Sequence, residues 1–401
     1  MSAGSARTNT LASIGTGCAV LGLAAWVFYF RAFAGSRGED WMVFYTAARA
    51  VLEGHLSLLY DGDKLTALLN ARFAHVLGAP LPLHPFLYPP HYLILLVPFG
   101  FLPPFLSLVT FLFLSYAALA AALLHWARDN TERWLYCVSV LVSPAAAIAI
   151  CLGQNTFLSC ALLVGGFAAA TRNRPVLAGI LLGSLSYKPQ LFLMVPVALV
   201  ALRQWKILLS VCVTGAVLAG TSAALFGIGI WRDWIQIMTA PSALTERWSS
   251  IARINGQNVF AYAAFLGAPL KVANALQAAA TIAGGIFVYW FHRRAASTEL
   301  KLIAVLAATT LTAPHFLGYD AVTIEIAATM FLACRLRGEG ASVLEIATCA
   351  LVWLSPVINP PTVFAIGVAT PLLIALFLVL VVRSDTQARR QEPVPAALVP
   401  V

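Results

Sequence analysis

The sequence predicts an all-α polytopic membrane protein, and three observations carry that reading. Sixty per cent of its 401 residues are apolar and only 10% are charged, with a mean hydropathy of +0.85, far from the balance of a soluble domain. Apolar runs of about 20 residues, the length that crosses a bilayer's hydrocarbon, recur along the chain. The basic residues stand between those runs. A backbone in lipid must satisfy its own hydrogen bonds, and the runs lack the alternation of barrel strands, so each is predicted as helix.

In chain order the clear spans are 11–30, 105–127, 134–152, 155–171, 207–230, 272–291 and 362–382. Shorter or interrupted ones are 88–102, 176–202, 300–314, 319–334 and 342–356. Together they make about 11–12 membrane helices, short half-helices included. Ala32-Phe33-Ala34 resembles a signal-peptide cleavage site. The preceding run is too long for a signal and Arg31 interrupts it, so it is read as an uncleaved first span. Segment 88–102, bounded by Pro89-Pro90 and Pro103-Pro104, is too short to cross comfortably. Segment 176–202 breaks at Lys188-Pro189 and is expected to form a hairpin of two half-helices.

With those two exceptions, Arg128 and Arg133, Arg172 and Arg174, Arg203 and Lys206, Arg293 and Arg294, Arg335 and Arg337, and Arg383, Arg389 and Arg390 all fall on one side. The positive-inside rule makes that side, and both termini, cytoplasmic. It also accounts for the net charge of +9 without a nucleic-acid partner. The chain reads as one transmembrane domain over 1–383 with an outer loop at 34–87. Residues 384–401 read as a disordered cytoplasmic tail. Most of the seven cysteines lie within apolar runs and none shows paired spacing, so no disulfide or metal framework is expected.

The polar exceptions collect on the opposite side. Asp40 opens a segment with Trp41, Phe44, Tyr45 and Arg49 that reads as an interfacial helix. A carboxylate there either caps the helix or serves as a general base, and Glu39 beside it is a rival for that role. Asp61 and Asp63 carry turn chemistry, and His91 reads as a bystander. Gln154 and Asn155 follow Gly153 at the outer end of a span. Lys188, inside an apolar segment, costs roughly 2.5–3.5 kcal/mol at mid-membrane on insertion scales, so it calls for a partner or an anionic ligand. His315, Tyr319 and Asp320 cluster after Pro314. Arg232, Arg247, Arg253 and Lys271 decorate the outer loop 231–271, as solvated charge or as a phosphate clamp. Nucleotide loops, zinc-protease motifs and hydrolase elbows are absent.

The run Asp40-Trp41-x-x-Phe44-Tyr45-x-Ala47-Ala48-Arg49-Ala50, then Gly54, Leu59-Tyr60-Asp61, Tyr88-Pro89-Pro90, Gly153-Gln154-Asn155, Lys188-Pro189-Gln190 and Pro314-His315 to Tyr319-Asp320, resembles glycosyltransferase family 87. The resemblance covers about 38–335. It departs at Trp41, where an aliphatic residue or phenylalanine is commoner, and over 250–258, which leaves the acceptor open. It implies a GT-C type fold, a polyprenyl-phosphate sugar donor with mannose as the family's example, an outward-facing site and inversion at the anomeric carbon. It carries the catalytic aspartate onto Asp40 and a functional histidine onto His315.

The physical chemistry of such a transfer asks for a base at the acceptor hydroxyl, which Asp40 would supply, and for cations at the departing phosphate. Lys188, Arg253 and His315 are the candidates, in that order. Tyr45, Gln154, Asn155, Tyr319, Asp320 and Glu39 are further site candidates. No cofactor or metal is expected; the partners are the lipid-linked donor, a lipid or glycan acceptor and membrane lipids, in a plasma membrane. A lipid or glycolipid transporter is the competing reading, and it would call for inverted repeats and a mid-membrane site.

Overall fold

The computed structural model describes residues 3–35, 37–239, 256–338, 340–358 and 370–391. Among them the secondary structure is helical, with one isolated antiparallel bridge between Gly256 and Leu317. The helices are α1 (Ala3–Ala32), α2 (Glu39–Leu52), α3 (Gly62–Phe73), α4 (Tyr92–Leu96), α5 (Pro104–Leu124), α6 (Asn130–Leu141), α7 (Pro144–Leu152), α8 (Thr156–Thr171), α9 (Pro175–Ser184) and α10 (Pro189–Phe192). They continue with α11 (Met194–Ala201), α12 (Trp205–Phe226), α13 (Gly229–Thr239), α14 (Val259–Phe265), α15 (Leu270–Arg293), α16 (Thr298–Thr312), α17 (Val322–Arg337), α18 (Val343–Trp353), α19 (Ser355–Ile358) and α20 (Thr370–Gln391).

The long helices run between two ends of the molecule, and ion pairs identify one of them. Arg337 bonds Glu132 at 2.8 Å and also pairs with Glu299, which Arg128 reaches at 3.5 Å. Arg335 bonds Glu345 at 2.8 Å and reaches Ser384 at 3.5 Å. Asp385 receives Arg294 at 3.0 Å and Arg389 at 3.1 Å. The termini of α5, α15, α17 and α20 and the starts of α6, α16 and α18 therefore meet at one basic end. Gly153, Lys188 and the 313–320 turn sit at the other.

Segment 176–202 breaks at Lys188, as expected. Gly179 abuts Ser210 and Gly183 abuts Thr214, so α9 and α12 run parallel, both leaving the basic end. The chain between them must return, and Arg293 at the foot of α15 donates to the Ala201 carbonyl at 3.3 Å, which places the end of α11 back at that face. A Cβ on Gly179 would lie 2.2 Å from Ser210 Cβ, so the close crossing needs glycine.

The inner layer is α8, α16 and α17. Most residues of α16 and α17 are buried, and small side chains such as Ala304, Ala307 and Ala308 let neighbours approach closely. Outside them α5, α12 and α15 expose Phe105, Phe113, Val213, Ile282 and Ile286, the apolar surface of lipid-facing helices.

Several boundaries differ from the sequence expectation. Among the described residues four helices, Pro104–Leu124, Trp205–Phe226, Leu270–Arg293 and Thr370–Arg389, are long and apolar enough to cross alone, and the bent pair α6–α7, counted as one span, makes a fifth. The runs at 155–171, 300–314 and 319–334 form shorter helices that the outer layer wraps, and a helix in contact with protein all round reads as apolar as one in lipid. The run 134–152 is broken at Ser143-Pro144 and bends by 52°. The tail expected to be disordered from 384 starts as helix, because Asp385 holds Arg294 and Arg389 there; 392–401 lie outside the described residues.

Candidate functional site

Asp40 is the second residue of α2. The N-cap is Gly38, in the left-handed region at φ 77° with no side-chain cap bond, so the capping role open to Asp40 in the sequence is not the one it takes. Its carboxylate instead accepts a hydrogen bond from Gln154 Nε2 at 2.7 Å. The meeting depends on Gly153, the C-cap of α7 at φ 73°. A Cβ there would lie 2.5 Å from Trp41 Cβ and 2.9 Å from Leu108 Cδ1, so only glycine lets α2 rest on the end of α7. From the same end, the Cys151 carbonyl accepts the Gly38 N–H at 2.7 Å. One helix terminus thus fixes both the backbone before Asp40 and its carboxylate.

Burial raises the Asp40 carboxyl from 3.8 to about 6, against the Gln154 hydrogen bond, which lowers it. Glu39 raises it further by charge, while His84 and Lys188 pull it down. An acid with that value is mostly ionised at neutral pH yet basic enough to take a proton.

Beside Asp40 lies a second, fully buried cluster. Lys188 and Asp320, each 2% exposed, pair at 2.5 Å. Lys188 also donates to Asn155 Oδ1 at 3.1 Å, and Asn155 Nδ2 donates to the Tyr92 hydroxyl at 3.1 Å. Tyr92 stacks on Tyr187 with ring centroids 4.4 Å apart, and the Tyr187 hydroxyl bonds Ser159 Oγ at 2.8 Å. The Lys188 ammonium also stands 5.4 Å from the Tyr319 ring centroid. The partner that the cost of a buried lysine demanded is Asp320.

The structure sorts the remaining candidates. Glu39 flanks Asp40 and acts on it by charge. Tyr45 turns away, donating to the Leu102 carbonyl at 3.0 Å and so fastening α2 to the 97–101 turn. His315 is exposed, and its loop is pinned to 256–258 by Gln257 N to Phe316 O at 2.9 Å and by Asn258 Nδ2 to Pro314 O at 2.5 Å. Its ring makes no hydrogen bond among the described residues. Arg253 and Arg247 lie outside the described residues, and Arg232 is exposed on α13.

Two groups escaped the sequence reading. His84, in the proline-rich stretch 79–90, is close enough to act on the Asp40 charge; its place among five prolines was the signal for an ordered loop. His91, read as a bystander, is buried, bonds Ser186 through Nε2 at 3.2 Å and stacks on Trp231. Trp234 donates to the Leu87 carbonyl at 3.1 Å, so α13 lies over the same end of the molecule.

Among known proteins, the profile of Glycosyltransferase family 87 matches residues 86–317, more than half of the chain. That stretch holds Gln154, Asn155, Lys188 and His315, while Asp40 and Asp320 flank it. No curated protein and no solved structure matches.

Proposed function

The chain belongs to glycosyltransferase family 87, a membrane glycosyltransferase, and on that premise we propose that it moves a hexose from a polyprenyl-phosphate donor to an extracytoplasmic lipid or glycan acceptor. The observation that carries the reading is the Asp40 carboxylate, half-buried, held by Gln154 and raised to about 6, at the end of the molecule remote from the arginine network. Under the positive-inside rule that network and both termini face the cytoplasm, and the site faces outward across a plasma membrane.

In this GT-C type arrangement, Asp40 takes the proton from the acceptor hydroxyl as its oxygen attacks the anomeric carbon. The bond from that carbon to the phosphate oxygen breaks on the opposite face, with inversion, and the electron pair leaves with the polyprenyl phosphate. Lys188 is already matched by Asp320, so the pair brings little net charge to the phosphate and works chiefly by orienting Asn155 and the turn at 317–320. His315, exposed on that turn, and Arg253 remain the candidates for the departing phosphate. The bilayer holds the prenyl chain, and no metal enters the scheme.

Purified Asp40→Asn protein, assayed for sugar transfer from polyprenyl-phosphate-mannose into membrane lipid, is expected to lose at least about 100-fold in kcat, the scale of a positioned general base. Transfer at the parental rate would remove Asp40 from the mechanism.

A further inference from the structure

The mechanism leaves unused a carboxyl group deep in the helical core. Glu325 on α17 is fully buried. Its Oε1 accepts the Ala145 N–H at 3.1 Å, and the Ser143 side chain hydrogen-bonds the same carboxyl. Ala145 is the second residue of α7, directly after the break at which the α6–α7 span bends by 52°. A helix that starts inside a bundle exposes N–H groups that no preceding turn can satisfy. Ser143 caps the Ala146 N–H at 3.1 Å and Glu325 takes the one before it, that of Ala145.

The other end of α7 is the platform under Asp40. Cys151 receives Gly38, Gly153 admits Trp41, and Gln154 holds the carboxylate. The helix between the two ends is nine residues long and buried except at Ile150. Helix α17 continues the turn that carries Asp320, five positions before Glu325, and Ile148 of α7 lies against Gly318 of that turn. One rigid element therefore grips Lys188 through Asp320 and α7 through Glu325.

We propose that Glu325 is a positioning residue, which acts through α7 to set the register between Asp40 with Gln154 and the Lys188–Asp320 pair. It touches no substrate. The role rests on the reading of Asp40 as the base, and it is testable without that reading.

The readout is the Asp40 carboxyl itself, followed by infrared titration of the full-length protein in lipid nanodiscs and assigned by the band missing in Asp40→Asn. The groups that face Asp40 are Glu39, His84, Gln154 and Lys188, with the phenols of Tyr88 and Tyr319, and none of them changes in the single Glu325 variants. Glu325→Gln keeps an acceptor at Ala145 and is expected to leave the Asp40 midpoint and the transfer rate within about twofold of the parent. Glu325→Met fills the space without an acceptor, so α7 loses its anchor and Gln154 its aim. The Asp40 midpoint then rises, and kcat falls about tenfold with KM unchanged. Adding Gln154→Leu to Glu325→Met should cost no more than Gln154→Leu alone, since both act on one contact. If Glu325→Met does not accumulate, Glu325→Asp, one methylene short of Ala145, takes its place with the same expectation. A variant that melts earlier while the Asp40 midpoint stays fixed would reduce Glu325 to a stabilising cap and overturn the proposal. An active Asp40→Asn would instead overturn the mechanism and leave the titration shift standing.

Discussion

Asp40, the proposed base, is a carboxylate whose burial costs stability when it is ionised. Its folded value near 6 exceeds the unfolded 3.8, so folding favours the protonated form. That stability contribution is complete below about pH 4 and disappears as pH rises through about 6. Asp40→Asn is therefore expected to melt higher than the parent at pH 7.5 by about 1–2 kcal/mol and to match it near pH 4, which thermal denaturation in detergent reads. The proposed catalysis runs the other way: a base must be ionised, so with Asp40 in that role kcat/KM is expected to rise with pH and level off above about 6. Gln154→Leu removes a bond that favours the carboxylate, so its acid limb should move to higher pH; a limb that stayed in place would assign the profile to another group. Lys188 poses the opposite case. Lys188→Met strands Asp320 in the core and is expected to cost about 3–5 kcal/mol, whereas Lys188→Met with Asp320→Leu should recover most of it. Comparing the melting points of the single and double variants decides between a pairing role and a need for the ammonium itself.

At the scale of elements, the site depends on where helices stop. Gly153 ends α7 in a left-handed conformation under Trp41. Gly153→Ala is expected to cost about 1–3 kcal/mol, through both the positive φ and the clash, and to depress transfer by pushing α2 away from Gln154. An active, stable Gly153→Ala would show that α2 can shift without moving Asp40. The break at Lys188-Pro189 was legible because a charge followed by proline cannot sit inside an uninterrupted span. The break at Ser143-Pro144 carries the same kind of signal, a capping serine before proline, but a continuous apolar run around it masked the boundary. The extent of α20 was illegible for a different reason: Asp385 and Arg389 look like a solvated tail until Arg294, 91 residues away, supplies the partner.

At the scale of the whole molecule, the described ion pairs gather at two poles. Arg128, Arg294, Arg335, Arg337 and Arg389 meet Glu132, Glu299, Glu345 and Asp385 at one, while Lys188 and Asp320 lie at the other, where α2 carries Asp40 and Arg49, the latter paired with Glu53. Cysteines placed at Asp63, in the first turn of α3, and at Arg133, in the first turn of α6, are expected to react with a membrane-impermeant thiol reagent from opposite sides of sealed cells, Asp63→Cys from outside. Labelling of both from the same side would reverse the orientation of the site.

By itself the sequence determined the helical membrane class, the hairpin at 176–202 and the types of residue at the site, because lipid leaves a backbone few choices and a buried charge few excuses. Tertiary structure alone decided the pairings. Asp40 meets Gln154 across 114 residues and Lys188 meets Asp320 across 132, distances over which no local pattern in a chain specifies a contact. Which carboxylate meets a neutral amide, and which neutralises a lysine, follows from how the helices pack.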